Sequence, residues 1–146
     1  MPSVIVASDV SIVRRGIISA LDEPGMVVKE ASSGKEVLDL VAAVSPDLVL
    51  ADMQIGNMGG MAICMELRLE ESYGHLPHVG VILLLDRRAD VFLARRSGAN
   101  GWLIKPLDPL RLRAAVKAVS SGDSYLDPSY EPLPSTSLPT ASSGGK

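Results

Sequence analysis

Short apolar runs punctuate the chain, and the segments between them repeat their apolar residues at three- and four-residue spacing. The run Leu48-Val-Leu-Ala51, held between Asp47 and Asp52, contains no polar residue and is too short for a helix. Such a run suits a strand buried on both faces, the environment of a central strand in a parallel sheet. Pro46, just before it, disfavours helical continuation from upstream. Val4-Ile-Val-Ala7, Val79 to Leu85 and Gly101-Trp-Leu-Ile104 read as further buried strands. Met26 to Glu30 is more amphipathic and suits an edge of the sheet.

The intervening segments read as helices. Val13, Ile17 and Leu21 lie at fourfold spacing before Pro24-Gly25. Ser33-Gly-Lys-Glu36 is a capping box, and Val37, Leu40, Val41 and Val44 trace one helical face after it. A helix from Gly60 to about Glu71 is apolar on nearly every side, and a short one from Asp90 to Ser97 stops at Gly98. Asp108 caps the last helix with Pro109 at its first position, Leu112, Ala115, Val116 and Val119 form its buried stripe, and Gly122 ends it. Strands and helices in strict alternation predict an α/β fold, a doubly wound five-stranded parallel sheet with helices on both faces. In the flavodoxin-like order 2-1-3-4-5, the carboxyl ends of the first, third and fifth strands converge on one pocket.

Residues 1–122 make up this domain. Residues 123–146 are rich in Pro and Ser, carry no helical or strand period, and read as a C-terminal tail. Tyr125, Tyr130 and Leu133, set among prolines, are candidate apolar anchors for laying that tail along a partner.

Composition narrows the function. At 47% hydrophobic residues the chain is not a disordered one, and a net charge of −3 supplies no basic field for nucleic acid. Aromatic residues at 3% leave few rings for stacking bases, so direct nucleic-acid binding is not expected. One cysteine, Cys64, rules out a disulfide within the chain, and its apolar helical setting makes it a small core residue. No apolar run reaches membrane-spanning length, so the expectation is a cytoplasmic protein without membrane insertion, free to meet a membrane-bound partner.

The charged residues at strand ends carry the chemistry. Asp9, Asp52 and Lys105 each follow a predicted strand, at the edge where open α/β sheets place their ligands. Two neighbouring carboxylates suit a hard cation such as Mg²⁺, and a lysine opposite them suits an incoming anion. This layout fits phosphoryl transfer onto a carboxylate, with Asp52 as the attacking group and Lys105 carrying developing oxygen charge. No Gly-x-Gly-x-x-Gly fingerprint or phosphate-binding loop follows the first strand, which argues against a flavodoxin-like cofactor enzyme.

From Ser3 to about Gly122 the chain resembles the receiver domain of bacterial two-component response regulators. The resemblance rests on Ser8-Asp-Val-Ser-Ile-Val-Arg-Arg-Gly16, on Asp52-Met-Gln-Ile-Gly-Asn-Met-Gly-Gly60, and on Ser97-Gly-Ala-Asn-Gly-Trp-Leu-Ile-Lys-Pro106. It implies Asp52 as phosphoacceptor, with Asp9, Asp52 and the Gln54 backbone carbonyl as metal ligands. It further implies Lys105 as the phosphate-binding lysine, a cis Lys105–Pro106 peptide, and Leu85 and Trp102 at the switch positions. The chain departs from the family at three of these places. The family usually has two acids where Ser8-Asp9 stand, proline where Gly56 stands, and Thr or Ser where Leu85 stands, followed by a small residue rather than Asp86. Those departures imply weak Mg²⁺ binding at most and a weakened phosphoryl site.

Arg87, Arg88, Arg95 and Arg96 flank the fourth helix, and Arg111, Arg113 and Lys117 belong to the fifth. They read either as a solvated basic face or as a docking face for an acidic protein, the face that the resemblance implies for contacts. The sequence thus points to a stand-alone, atypical, non-enzymatic receiver that works through protein–protein contact, as a docked subunit of a larger assembly with little dependence on phosphorylation. The alternative is a conventional phosphorylatable single-domain response regulator served by a histidine kinase.

Overall fold

The computed structural model describes residues 2–56 and 58–127. Its elements run β1 (Ser3–Ala7), α1 (Ser11–Ala20), β2 (Val27–Ala31), α2 (Gly34–Val44), β3 (Leu48–Asp52), α3 (Gly60–Ser72) and β4 (Gly80–Leu85). A 3₁₀ turn at Arg88–Asp90 then leads into α4 (Val91–Arg96), β5 (Gly101–Ile104), α5 (Pro109–Ser120) and β6 (Tyr125–Leu126). All strands are parallel, in the order β2-β1-β3-β4-β5-β6.

The unbroken apolar runs follow from a sheet covered on both sides. Along β3, Val49 and Ala51 face a layer with Val37 and Val41 of α2 and Ile63, Cys64 and Leu67 of α3. Leu48 and Leu50 face the other layer, with Ile17 of α1 and Leu112, Ala115, Val116 and Val119 of α5. Every residue of β3 and β4 is buried. At roughly 2 kcal/mol for each fully buried Val, Leu or Ile, these two strands are the main hydrophobic support of the fold. β2 is largely exposed and forms an edge, as its amphipathic sequence predicts.

Helix starts follow the capping chemistry. Ser33 Oγ accepts from Glu36 N at 3.2 Å, while the Glu36 carboxylate accepts from Ser32 N and Ser32 Oγ, both at 2.7 Å. The reciprocal half of the box therefore closes one residue earlier than the Ser33–Glu36 pattern alone suggests. Asp108 accepts from Leu110 N at 2.8 Å, with Pro109 at the first helical position. Gly60 begins α3 against the end of β3, where a Cβ would press on the Asp52 and Ala51 carbonyls. That close approach keeps α3 directly beneath Asp52. The Lys105–Pro106 peptide is cis.

The sheet differs from expectation at one edge. It has six strands rather than five, because Tyr125–Leu126, read from sequence as the start of a tail, pair with Gly101 and Trp102. A two-residue strand is too short to show a period, and only its pairing reveals it. Tyr125 packs on the α1/α5 layer of its own domain rather than serving as a free anchor. Tyr130 and Leu133 lie outside the described residues.

Candidate functional site

β3 delivers Asp52 to the carboxyl edge of the sheet, where the residue is only 1% exposed. A carboxylate so deeply placed needs partners, and the neighbouring strand ends supply them. From the end of β5, Lys105 Nζ lies 2.9 Å from Asp52 Oδ1 and 3.0 Å from Oδ2. From the end of β1, the buried Ser8 hydroxyl donates to Oδ2 at 3.0 Å. In the following loop Gln54 N donates to Oδ1 at 3.2 Å. Both oxygens are engaged, and the charge is balanced at contact distance.

Lys105 serves a second acid. Asp86, just past β4, places Oδ1 3.1 Å from Nζ. Burial alone would push the Lys105 ammonium down, but Asp52 and then Asp86 outweigh it and hold the group above its ordinary value of 10.5. It remains an ammonium at any physiological pH.

The other predicted site residues are placed as follows. Asp9 is exposed and accepts from Gly56 N at 2.8 Å, tying the end of β1 to the loop after β3. Leu85 is wholly buried in the α2/α3 layer, pairs with Ile104, and offers no hydroxyl to the site. Trp102 is 4% exposed, with the Arg95 guanidinium 5.7 Å from its ring centroid. Its indole N–H has no hydrogen-bond partner among the described residues.

The seven cations do not form one face. Arg87 pairs with Asp90 at 3.1 Å, and Arg96 lies over the Phe92 ring at 5.1 Å. Together with Arg88 and Arg95 they stay around α4. Arg111 instead turns towards Asp127, at 3.5 Å. Arg113 donates to the Ala20 carbonyl at 2.8 Å, and with Lys117 it lines a hollow beside Glu23 and Met26. The single basic face expected from sequence is thus divided, because residues two apart on a helix point in nearly opposite directions.

From sequence Ser8 reads as a missing acid, whereas the structure makes it a buried donor to Asp52. Sequence alone also does not single out Asp127, whose carboxylate accepts from Ile104 N at 2.7 Å. The signal available was an acid directly after Tyr125-Leu126, in a segment otherwise poor in charge. Cys64 behaves as expected of a core residue, since burial pushes its thiol above the ordinary value of 9.0.

The response regulator receiver domain model matches residues 4–117. The chain belongs to the response-regulator receiver family. The nitrate/nitrite response regulator protein NarL of Escherichia coli is 30% identical over 112 residues, covering 77% of this chain and 50% of that protein. The DNA-binding transcriptional activator DevR/DosR of Mycobacterium tuberculosis is 30% identical over 131 residues, 87% of this chain and 58% of that protein. The chain therefore spans little more than half the length of these relatives. Among solved structures, the signal receiver domain of a NarL response regulator from Mycobacterium tuberculosis superposes with a TM-score of 0.72 at 33% identity, over 83% of this chain and 97% of that one. A LuxR-family response regulator from Aurantimonas shares the fold at TM-score 0.78 and 24% identity, over 88% of this chain and 91% of that one.

Receivers of two-component systems interact with histidine kinases and other proteins, are in general signal transducers rather than enzymes, and typically bind Mg²⁺ at their acidic site. The residues present here do not fit such an ion well. Among the described residues no three Asp, Glu, His or Cys side chains converge to hold a metal. Ser8 stands where a second acid would be, Lys105 occupies both oxygens of Asp52, and Asp9 is turned to Gly56 N. What the pocket's own groups can do is present a carboxylate for attack on phosphorus and place an ammonium against the incoming oxygens. No helix among the described residues is long and apolar enough to cross a membrane.

Proposed function

We propose that this receiver is an atypical one, a cytoplasmic interaction module that docks on a protein partner or multi-protein complex with little dependence on phosphorylation. Its work is contact rather than turnover. The observation that carries this reading is the end of β4. Leu85 is wholly buried there and Asp86 follows it, so a phosphoryl group on Asp52 would meet no hydroxyl from β4 and a second negative charge on Lys105. A switch needs an interaction present in one state and absent in the other, and Leu85 supplies none to distinguish them. Any Mg²⁺ contribution, through Asp9, Asp52 and the Gln54 carbonyl, is weak for the same shortage of donors.

The retained contact of Lys105 with Asp52 favours a second reading, conventional phosphoryl signalling from a histidine kinase with Asp52 as phosphoacceptor. One comparison separates the two. Native pull-down with the wild-type chain and with Asp52→Asn should recover the same proteins in the same amounts under the first reading, because the substitution is nearly isosteric and Lys105 keeps Asp86. Loss of the recovered partner on Asp52→Asn would favour the phosphoryl reading.

A further inference from the structure

The outer edge of β5 is closed by the chain itself. Tyr125 N donates to the Asn100 carbonyl at 3.1 Å and opens a ladder in which Gly101 faces Tyr125 and Trp102 faces Leu126. The pairing then changes character. Beyond these two pairs the Asp127 carboxylate accepts from Ile104 N at 2.7 Å, while its other oxygen lies 3.5 Å from Arg111. Asp127 is 3% exposed. A buried carboxylate is costly unless it is hydrogen-bonded and charge-paired, and this one has both partners.

Three features of β5 and its surroundings are shaped to this segment. Gly101 lacks the Cβ that would collide with the Tyr125 carbonyl. The α1/α5 layer receives the Tyr125 ring. Ile104 N and Arg111 together receive the acid. Against this, Leu126 is 56% exposed and the paired strand has only two residues, so the backbone pairing itself is short. An edge strand offers its free N–H and C=O groups to any extended chain of matching pattern.

We propose that the outer edge of β5 is a strand-docking site, filled here by Tyr125–Asp127, and that it accepts in exchange a protein partner's extended segment bearing an aromatic residue two positions before an acid. The glycine admits the strand and the Ile104 N–H with Arg111 selects the acid. The site uses none of the groups that touch Asp52, and so goes beyond the function proposed above.

The test uses the isotope-labelled full chain and a synthetic peptide, Asp-Ser-Tyr-Leu-Asp-Pro-Ser, as the probe. In Asp127→Ala the Ile104 amide should exchange about tenfold faster or more, with the Leu50 amide unchanged as a control for the fold. The peptide should bind this variant and restore Ile104 protection, and a peptide with alanine for its second aspartate should not. Adding Gly101→Ala to Asp127→Ala should abolish peptide binding, because the Cβ blocks the strand. Should Asp127→Ala fail to fold, Gly101→Ala alone provides the same Ile104 reading. Unchanged Ile104 exchange in these variants, or equal binding of the peptide with and without Gly101→Ala, overturns the proposal.

Discussion

Replacing Lys105 by methionine will lower the stability of the domain at neutral pH by about 3 kcal/mol, since removing one partner of a buried ion pair leaves the other charge uncompensated. Methionine keeps much of the lysine stem's packing, so the loss reports mainly on the ammonium. What remains around Asp52 is the Ser8 hydroxyl and the Gln54 N–H, two donors without a formal charge. Asp86 is far less affected, being 42% exposed on its side chain and able to turn to water. Combining Lys105→Met with Asp52→Asn should recover most of the loss, and the non-additivity of that double-mutant cycle measures the pair itself. The pH dependence has a definite sign. The folded-state value of Lys105 is raised above 10.5, so its stabilisation is complete below that ordinary value and fades as pH rises through the higher folded value. The gap between wild type and Lys105→Met in urea-unfolding free energy should therefore hold at neutral pH and close in strong alkali. A variant as stable as wild type at pH 7 would mean that the Asp52 charge is met by water.

Ser8→Asp should have the second-largest effect, and its sign should depend on the metal. Ser8 is wholly buried, and its hydroxyl both donates to Asp52 Oδ2 and accepts from Val10 N at 3.1 Å. A carboxylate there removes the donor and sets a like charge beside Asp52, which in the absence of a divalent ion should destabilise the domain by about 2 kcal/mol. The same change supplies the carboxylate that the wild-type pocket lacks, and site affinity for hard cations rises with the number of charged ligands. Melting temperature followed against Mg²⁺ concentration reads the linkage directly. Wild type should be nearly flat into the millimolar range, whereas Ser8→Asp should start lower and climb. A wild-type midpoint that already climbs at micromolar Mg²⁺ would show that Asp9 and Asp52 suffice for a metal site.

Much of this architecture was legible because each buried strand carries an uninterrupted apolar run. Leu48 to Ala51 needed no partner to identify it as central, since both its faces had to be covered. The site was legible for a related reason, in that Asp52 and Lys105 end predicted strands and parallel order brings those ends together. Other features depend on pairing or on the direction of a single side chain. β6 has too few residues for a pattern, and the acid that fixes it acts on Ile104 N across 23 positions of sequence. Ser8 could be read only as an acid lost, because whether its hydroxyl meets Asp52 depends on the turn of the chain after β1. The division of Arg111 from Arg113 and Lys117 follows from which layer α5 faces, which a count of basic residues does not contain.

The most direct test of the account is a beryllofluoride titration in the presence of Mg²⁺, followed by the amide signals of Gln54, Asp86 and Lys105. Beryllofluoride mimics a phosphoryl group on an aspartate, so it calls on the donors that phosphorylation would require. With Ser8 in place of an acid, Leu85 in place of a hydroxyl and Asp86 as a second acid on Lys105, the signals should shift only slightly and not saturate at millimolar concentrations. Saturation at micromolar beryllofluoride, with shifts extending to Trp102, would contradict the account and identify a receiver that switches on phosphorylation.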